Sequence, residues 1–153
     1  MSARTVKLPY WIQRADFSAS DHEPIDLVGA ESVLRNHDWQ SEWALQDAFE
    51  REGKEIYEDY CLPCIGFLGE NSVLVLIPNR DGTADCDLVL PTSRYAMSKA
   101  ERVGDVLIVT DPDSSRLIAS APLLLQYRVL QLHFRPDQDA LEFLFDDYAK
   151  SHD

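Results

Sequence analysis

The run Val73-Leu74-Val75-Leu76-Ile77 constrains this chain more than any other stretch. Its residues suit a pleated backbone, and both parities are apolar, so the strand is expected to be central and covered on both faces. Such a strand needs neighbours. Residues 65–68, set apart from it by Gly69-Glu70-Asn71-Ser72, complete a hairpin with a short polar turn. Asn79-Arg80-Asp81-Gly82 is a turn cluster, and the next strand is expected at 87–90. Two more are expected at 106–110 and 117–121, around the Asp111-Pro112-Asp113 turn. Residues 127–134 alternate Tyr127, Val129, Gln131 and His133 with Arg128, Leu130, Leu132 and Phe134, which predicts a strand with one strongly apolar face. Near the N-terminus, residues 4–13 surround Pro9, and a proline without an N–H donor suits an edge strand or an extended arm. The polar residues 18–24 are expected to form a connecting loop.

Helical spacing is confined to three places. Asp38 is a fair N-cap, Glu42 falls early in the helix and Gly53 is placed to end it, with Leu45 and Phe49 as the expected buried face. Ser98 is suited to cap a short helix through Arg102, stopped by Gly104. The chain closes with a helix that Asp137 would cap after Pro136. There Leu141, Leu144, Phe145 and Tyr148 form the apolar stripe, opposite Asp139, Glu142 and Asp146. The expected fold is α+β: a largely antiparallel sheet of five to seven strands with helices packed on one face. With 153 residues, the chain is expected to be a single globular domain, residues 1–153, able to fold without a disulfide or metal.

Charge is the outlying property. The chain carries 27 acidic and 14 basic residues, a formal net charge of −13. That balance disfavours binding to a nucleic-acid backbone or an anionic membrane and favours a basic protein partner. The excess is uneven. Residues 16–59 hold thirteen of the acids against only Arg35, Arg51 and Lys54, which points to an interaction surface. The first sixteen residues lack a long apolar core of the secretory type, and 119–134 is broken by Gln126, Arg128 and Gln131, too polar to span a bilayer. With three cysteines, an odd number, reduced thiols and a cytoplasmic location are expected.

Overlapping this acidic stretch, residues 38–60 hold two of the three tryptophans and two of the six tyrosines. Trp39 and Trp43 are one helical turn apart, well round the wheel from Leu45 and Phe49, with Glu50 near their stripe. One reading makes both tryptophans an extension of the core contact. The other makes them anchors for a partner, because Trp and Tyr dominate binding hot spots. The candidate partner-binding residues are therefore Trp39, Glu42, Trp43, Asp47, Glu50, Tyr57 and Glu58.

Chemistry-bearing motifs are scarce. Cys61-Leu62-Pro63-Cys64 has CxxC spacing, but Ile65-Gly66-Phe67-Leu68 follows as a strand, whereas a redox CxxC opens a helix. A structural zinc site needs four ligands, and only Cys86 with His37 or His133 in space would complete this one; buried free cysteines are the simpler expectation. Residues 79–87, NRDGTADCD, miss the calcium-loop spacing and are expected to be a solvated hairpin loop. No GxSxG, HExxH, GxxxxGK[ST] or GxGxxG occurs, and His22, His37, His133 and His152 have no catalytic spacing. No catalytic residue, metal or cofactor is assigned, and the chain is not expected to be an enzyme.

In this overall character (small, acidic, without a catalytic signature) the chain resembles the immunity proteins of bacterial polymorphic and contact-dependent toxin systems. The resemblance implies a cognate secreted toxin domain with a basic cleft, whose active site the chain would occlude with carboxylates and a few aromatic anchors. The alternatives are a nucleic-acid mimic that inhibits a DNA-binding protein, and an enzyme or small-ligand domain without a local motif.

Overall fold

A computed structural model describes residues 6–69, 72–89, 100–103, 106–109, 115–135 and 138–151. Six strands form one open sheet: β1 (Leu8–Gln13), β2 (Ala19–Ile25), β3 (Cys64–Leu68), β4 (Val73–Pro78), β5 (Ala84–Val89) and β8 (Ser115–Ala121). Their spatial order is β2-β1-β3-β4-β5-β8, with every neighbouring pair antiparallel. A separate antiparallel pair joins β6 (Ala100–Val103) to β7 (Val106–Val109). Among the described residues there are four helices: α1 (Leu27–Asn36), α2 (Trp39–Arg51), α3 (Leu123–Phe134) and α4 (Gln138–Ser151). The fold is α+β, as the sequence predicts.

The strand period of two sorts side chains onto the two faces. Ile12, Ile65, Leu76, Cys86 and Ile118 are cross-strand partners in one row, and all five are buried. They meet Ala30 and Leu34 of α1, Val129, Leu130 and Phe134 of α3, and Leu141 and Phe145 of α4 in a single core. The neighbouring row, Trp11, Gly66, Val75, Asp87 and Leu117, lies on the other face. There Trp11 and Val73 form a smaller cluster with Ala19, Val75 and Val89, while Leu117 stays exposed. The strand at 73–77 is therefore central, but its two faces are unequal: Leu74 and Leu76 are fully buried, whereas Val75 and Ile77 are half-buried. Gly66 is fixed by this second cluster. A Cβ built there would lie 2.1 Å from the indole of Trp11, so the ring packs flat on bare backbone.

Four expectations fail in instructive ways. Residues 127–134 belong to α3, not to a strand. The run 123–134 is Leu-rich with Val129 as its only β-branched residue, and it is apolar nearly all round, so alternation and helical spacing both fit. Helix propensity and a twelve-residue length decide the matter. The loop expected at 18–24 is strand β2, whose inner residues are all exposed. An edge strand needs hydrogen bonds from one neighbour and no apolar face, and its acids and Pro24 suit an edge. The segment at 4–13 contributes β1, which is paired on both sides and so is not the edge. Finally, Ala100 to Arg102, expected in a short helix, lie in β6; Ser98 and Gly104 fall outside the described residues. Helix α1 has no counterpart in the sequence reading, although Asp26 caps it by accepting from the Gly29 amide at 2.8 Å. The stripe expected on α4 is present, with Leu141 and Phe145 fully buried; Asp137 lies outside the described residues, as do Glu70, Asn71 and the 111–113 turn.

Candidate functional site

Helix α2 begins as expected, with Asp38 accepting from the Ser41 amide at 3.2 Å and the Ser41 hydroxyl at 2.6 Å, which holds the Asp38 carboxyl below its usual range. The face it buries is not Leu45 and Phe49, which are only half-buried. Trp39 is 7% exposed, and its indole N–H donates to the Leu34 carbonyl at 2.8 Å, closing the corner between α1 and α2. The His37 ring packs edge-on against it, centroids 4.6 Å apart. One turn on, Glu42 is 5% exposed. Arg14, in the β1–β2 turn, donates from Nε to both of its carboxylate oxygens, and His37 Nε2 lies 4.0 Å from Oε1. Two of the seven candidate partner-binding residues, Trp39 and Glu42, thus sit inside the fold. A buried carboxylate needs a fixed counter-charge, and Arg14 supplies it.

The remaining candidates stay at the surface. Trp43 packs partly against the main core. Asp47 is bound through both oxygens to Arg80 in the β4–β5 turn, at 2.6 and 3.0 Å, which lowers its carboxyl pKa and raises that of the guanidinium. Glu50 accepts from the Tyr60 hydroxyl at 3.4 Å, and the Tyr60 ring stacks on Phe49 with planes 8° apart. Burial, followed by the Glu50 charge, pushes the Tyr60 hydroxyl pKa up.

Beyond α2 the chain turns at Gly53, whose φ of 75° is the left-handed conformation that a helix-ending glycine adopts without strain. The Lys54 amide reaches back to the Phe49 carbonyl at 3.1 Å. A tight loop follows. The Glu55 amide donates to Asp59 Oδ2 at 2.9 Å, the Asp59 amide to the Glu55 carbonyl at 2.8 Å, and the Tyr57 amide to the Tyr60 carbonyl. The far end is stitched to the β1–β2 turn by the Cys61 amide, which donates to the Ala15 carbonyl at 2.9 Å. Tyr57 stands at the tip, 68% exposed, at a φ of 69° that a residue with a Cβ rarely holds. Although the residue is largely exposed, its hydroxyl lies back towards Cys61, Cys64 and Asp85, and partial burial there, followed by nearby negative charge, raises its pKa. Glu50, Glu52, Glu55, Glu58 and Asp59 are exposed along the end of α2 and the loop. The arrangement is an internally hydrogen-bonded acidic loop that carries one exposed tyrosine.

Sequence reasoning missed Arg14, Arg80 and Tyr60, which fix the positions of Glu42, Asp47 and the loop. Each lies far along the chain from its partner except Tyr60, whose four-residue separation from the loop's own start at Ile56 is reflected in an isolated bridge between the two.

Thiol chemistry is suppressed. Cys61, Cys64 and Cys86 are all buried and free. Burial pushes the thiol pKa of Cys64 and Cys86 up to about 12 and also raises that of Cys61, so none is an activated nucleophile. Among the described residues, no group of three or more His, Cys, Asp or Glu side chains is placed to hold a metal ion. His133 is a core residue: Nε2 faces the Phe67 carbonyl at 3.1 Å, and burial drives its pKa down to about 4. On the opposite sheet face, Asp87 has a raised pKa through burial, and its Oδ1 finds no hydrogen-bond partner among the described residues.

No helix among the described residues is long and apolar enough to cross a membrane. Comparison with known protein families, with curated proteins and with solved structures gives no match.

Proposed function

We propose that this chain is an acidic binding protein that neutralises a basic protein partner, as an immunity protein does when it occludes the active site of a cognate bacterial toxin. The observation that carries this reading is Tyr57 on its closed acidic loop. An exposed tyrosine offers a large contact area with little side-chain entropy to lose, and the loop's internal hydrogen bonds have already fixed the backbone before any partner arrives. Its left-handed φ is one of three at non-glycine residues among the described residues, with Phe17 and Ser120, and at Tyr57 it falls on an exposed aromatic side chain. The carboxylates around Tyr57 supply long-range attraction for Arg and Lys, which sets the rate of encounter. In this reading the binding residues are Trp43, Glu50, Glu55, Tyr57 and Glu58, and the protein acts in the cytoplasm of the producing cell.

Co-expression with the product of the adjacent reading frame tests the proposal. Restored growth of cells that the product alone arrests, together with a stable complex on size exclusion, is the expected result. Normal growth with the product alone, or growth arrest in the presence of the chain, overturns it. If the complex forms but DNA displaces the chain competitively, the nucleic-acid-mimic alternative replaces it.

A further inference from the structure

A small groove opens between α2 and the β4–β5 turn. It is lined by Trp43, Leu62, Pro63, Ile77 and Pro78 and, in nearly equal measure, by the polar Gln46, Asn79 and Arg80 at its rim. Its volume of about 90 Å³ is decisive for what it can hold. Small-molecule sites begin at roughly 300 Å³, so this groove is too small for a cofactor or a metabolite of ordinary size. It is the size of one apolar side chain. Its position matters as much: Trp43 reaches it from α2, and Leu62 and Pro63 reach it from the chain that leaves the acidic loop.

We infer that this groove is a socket of the acidic face, with an apolar wall and a polar rim, and takes a single aliphatic side chain, flanked by lysine or arginine, from an extended segment of the basic partner. The inference rests on the binding reading above and names what that surface recognises. Charge complementarity selects this occupant. Arg80 is a cation beside the groove, but its two terminal nitrogens each donate to the Asp47 carboxylate, at 3.0 and 2.6 Å, so its charge is matched locally. Glu50 adjoins the groove's rim, where Gln46 Nε2 donates to its Oε1 at 3.4 Å, and Glu52, Glu55, Glu58 and Asp59 are exposed along the helix end and loop that follow. An anionic or purely apolar segment gains nothing from these carboxylates, whereas a basic segment is drawn in and its apolar residue then has a place to leave water. The socket also explains Trp43: one part of the indole serves the core, and the rest forms a wall on which a partner side chain can pack.

Two fluorescein-labelled peptides test this with the full chain at low ionic strength: Lys-Lys-Leu-Lys-Lys and Lys-Lys-Gly-Lys-Lys, both blocked at their termini. Anisotropy should show the leucine peptide binding on the order of tenfold more tightly, the effect of burying most of one leucine. Gln46→Trp, which fills the groove from its rim, should erase that preference while both peptides still bind through charge. Leu62→Gln, which removes one apolar wall, should reduce it, and unchanged urea midpoints establish that both variants are folded. Equal affinities for the two peptides in the parent protein overturn the socket and leave the acidic face standing. A preference that survives Gln46→Trp likewise overturns the placement. If neither peptide binds, the acidic-face reading itself fails, and the socket with it.

Discussion

Arg14 and Glu42 tie the β1–β2 turn to the first turns of α2, with the single Nε–H of the arginine lying 3.1 and 3.2 Å from the two carboxylate oxygens. Glu42 is buried while Arg14 remains half-exposed, so the two ends of the pair are not equivalent. Arg14→Ala strands a carboxylate in the interior and should cost about 2–4 kcal/mol, below the full penalty of a completely buried pair because water can approach from the arginine side. Replacing both residues by methionine should recover most of that loss. Urea unfolding with an unchanged m-value is the measurement; a double variant as unstable as Arg14→Ala would show that the pair is not the source of the effect.

The two tryptophans of α2 should separate cleanly. Trp39→Ala opens a cavity at the α1–α2 corner and orphans the Leu34 carbonyl, and it should cost about 3–5 kcal/mol. Trp43→Ala, at a half-buried site, should cost less than half of that and instead speed dissociation from the partner. Thermal melts and surface-bound dissociation rates of the two variants check this directly, and the reverse ranking would return Trp43 to the core.

Tyr57→Gly should leave stability unchanged or slightly raised. The left-handed backbone at Tyr57 costs a non-glycine residue about 1–2 kcal/mol, which offsets glycine's own entropic disadvantage of about 0.5–1 kcal/mol. Partner affinity should nevertheless fall by at least about tenfold if Tyr57 is a hot spot. Reversing Glu55 and Glu58 together should slow association several-fold and flatten its dependence on salt. An association rate indifferent to ionic strength would remove the steering argument.

His133 sets a pH dependence whose sign follows from its burial. Its pKa is about 4 in the fold against an ordinary value of 6.5, so the unfolded chain binds the extra proton between those two values. The contribution of neutral His133 is complete above pH 6.5 and is lost as pH falls towards 4, an effect of about 3 kcal/mol at most. His133→Gln should flatten the stability curve in that window. Equally steep curves for parent and variant would place the titration elsewhere.

Asp87 works in the opposite direction. Burial raises its pKa, so its carboxyl disfavours the fold once pH climbs through the folded value. Asp87→Asn should therefore stabilise the protein at pH 7 by on the order of 1 kcal/mol, and by almost nothing at pH 3, where both states are protonated. A loss of stability at neutral pH would mean that the carboxylate has a role the amide cannot fill.

Much of the fold is legible in local chemistry because local chemistry decides it. The cap at Asp38 and the stop at Gly53 act over a few residues, and α2 follows from them; β3 and β4 pair as their two apolar runs lead one to expect. What stayed hidden depends on distant partners. The polar strand β2 exists because β1 offers it a ladder, and nothing in Ala19–Ile25 itself announces a strand. Residues 127–134 fit either period; the propensity and length of the whole run 123–134 tip it to the helix, which then packs against α1 and α4. In the candidate site, Tyr57 and Glu58 could be singled out by composition, but the inward turn of Glu42 depends on Arg14, twenty-eight residues away. A helical wheel places a carboxylate on a face without revealing whether an arginine is waiting there.

The three buried thiols give this protein a built-in clock. A free cysteine reacts with a labelling reagent only while its surroundings are open, so each labelling rate reports the opening of its own region. Cys86 lies in the main core and should react only through global unfolding, whereas Cys61 sits where the acidic loop is stitched to the β1–β2 turn and reports the detachment of that loop. The ratio of the two rates therefore measures how firmly the loop is held relative to the whole fold. A genuine partner seated on the loop should slow Cys61 far more than Cys86, so the protein can signal occupancy of its own binding face without an added probe.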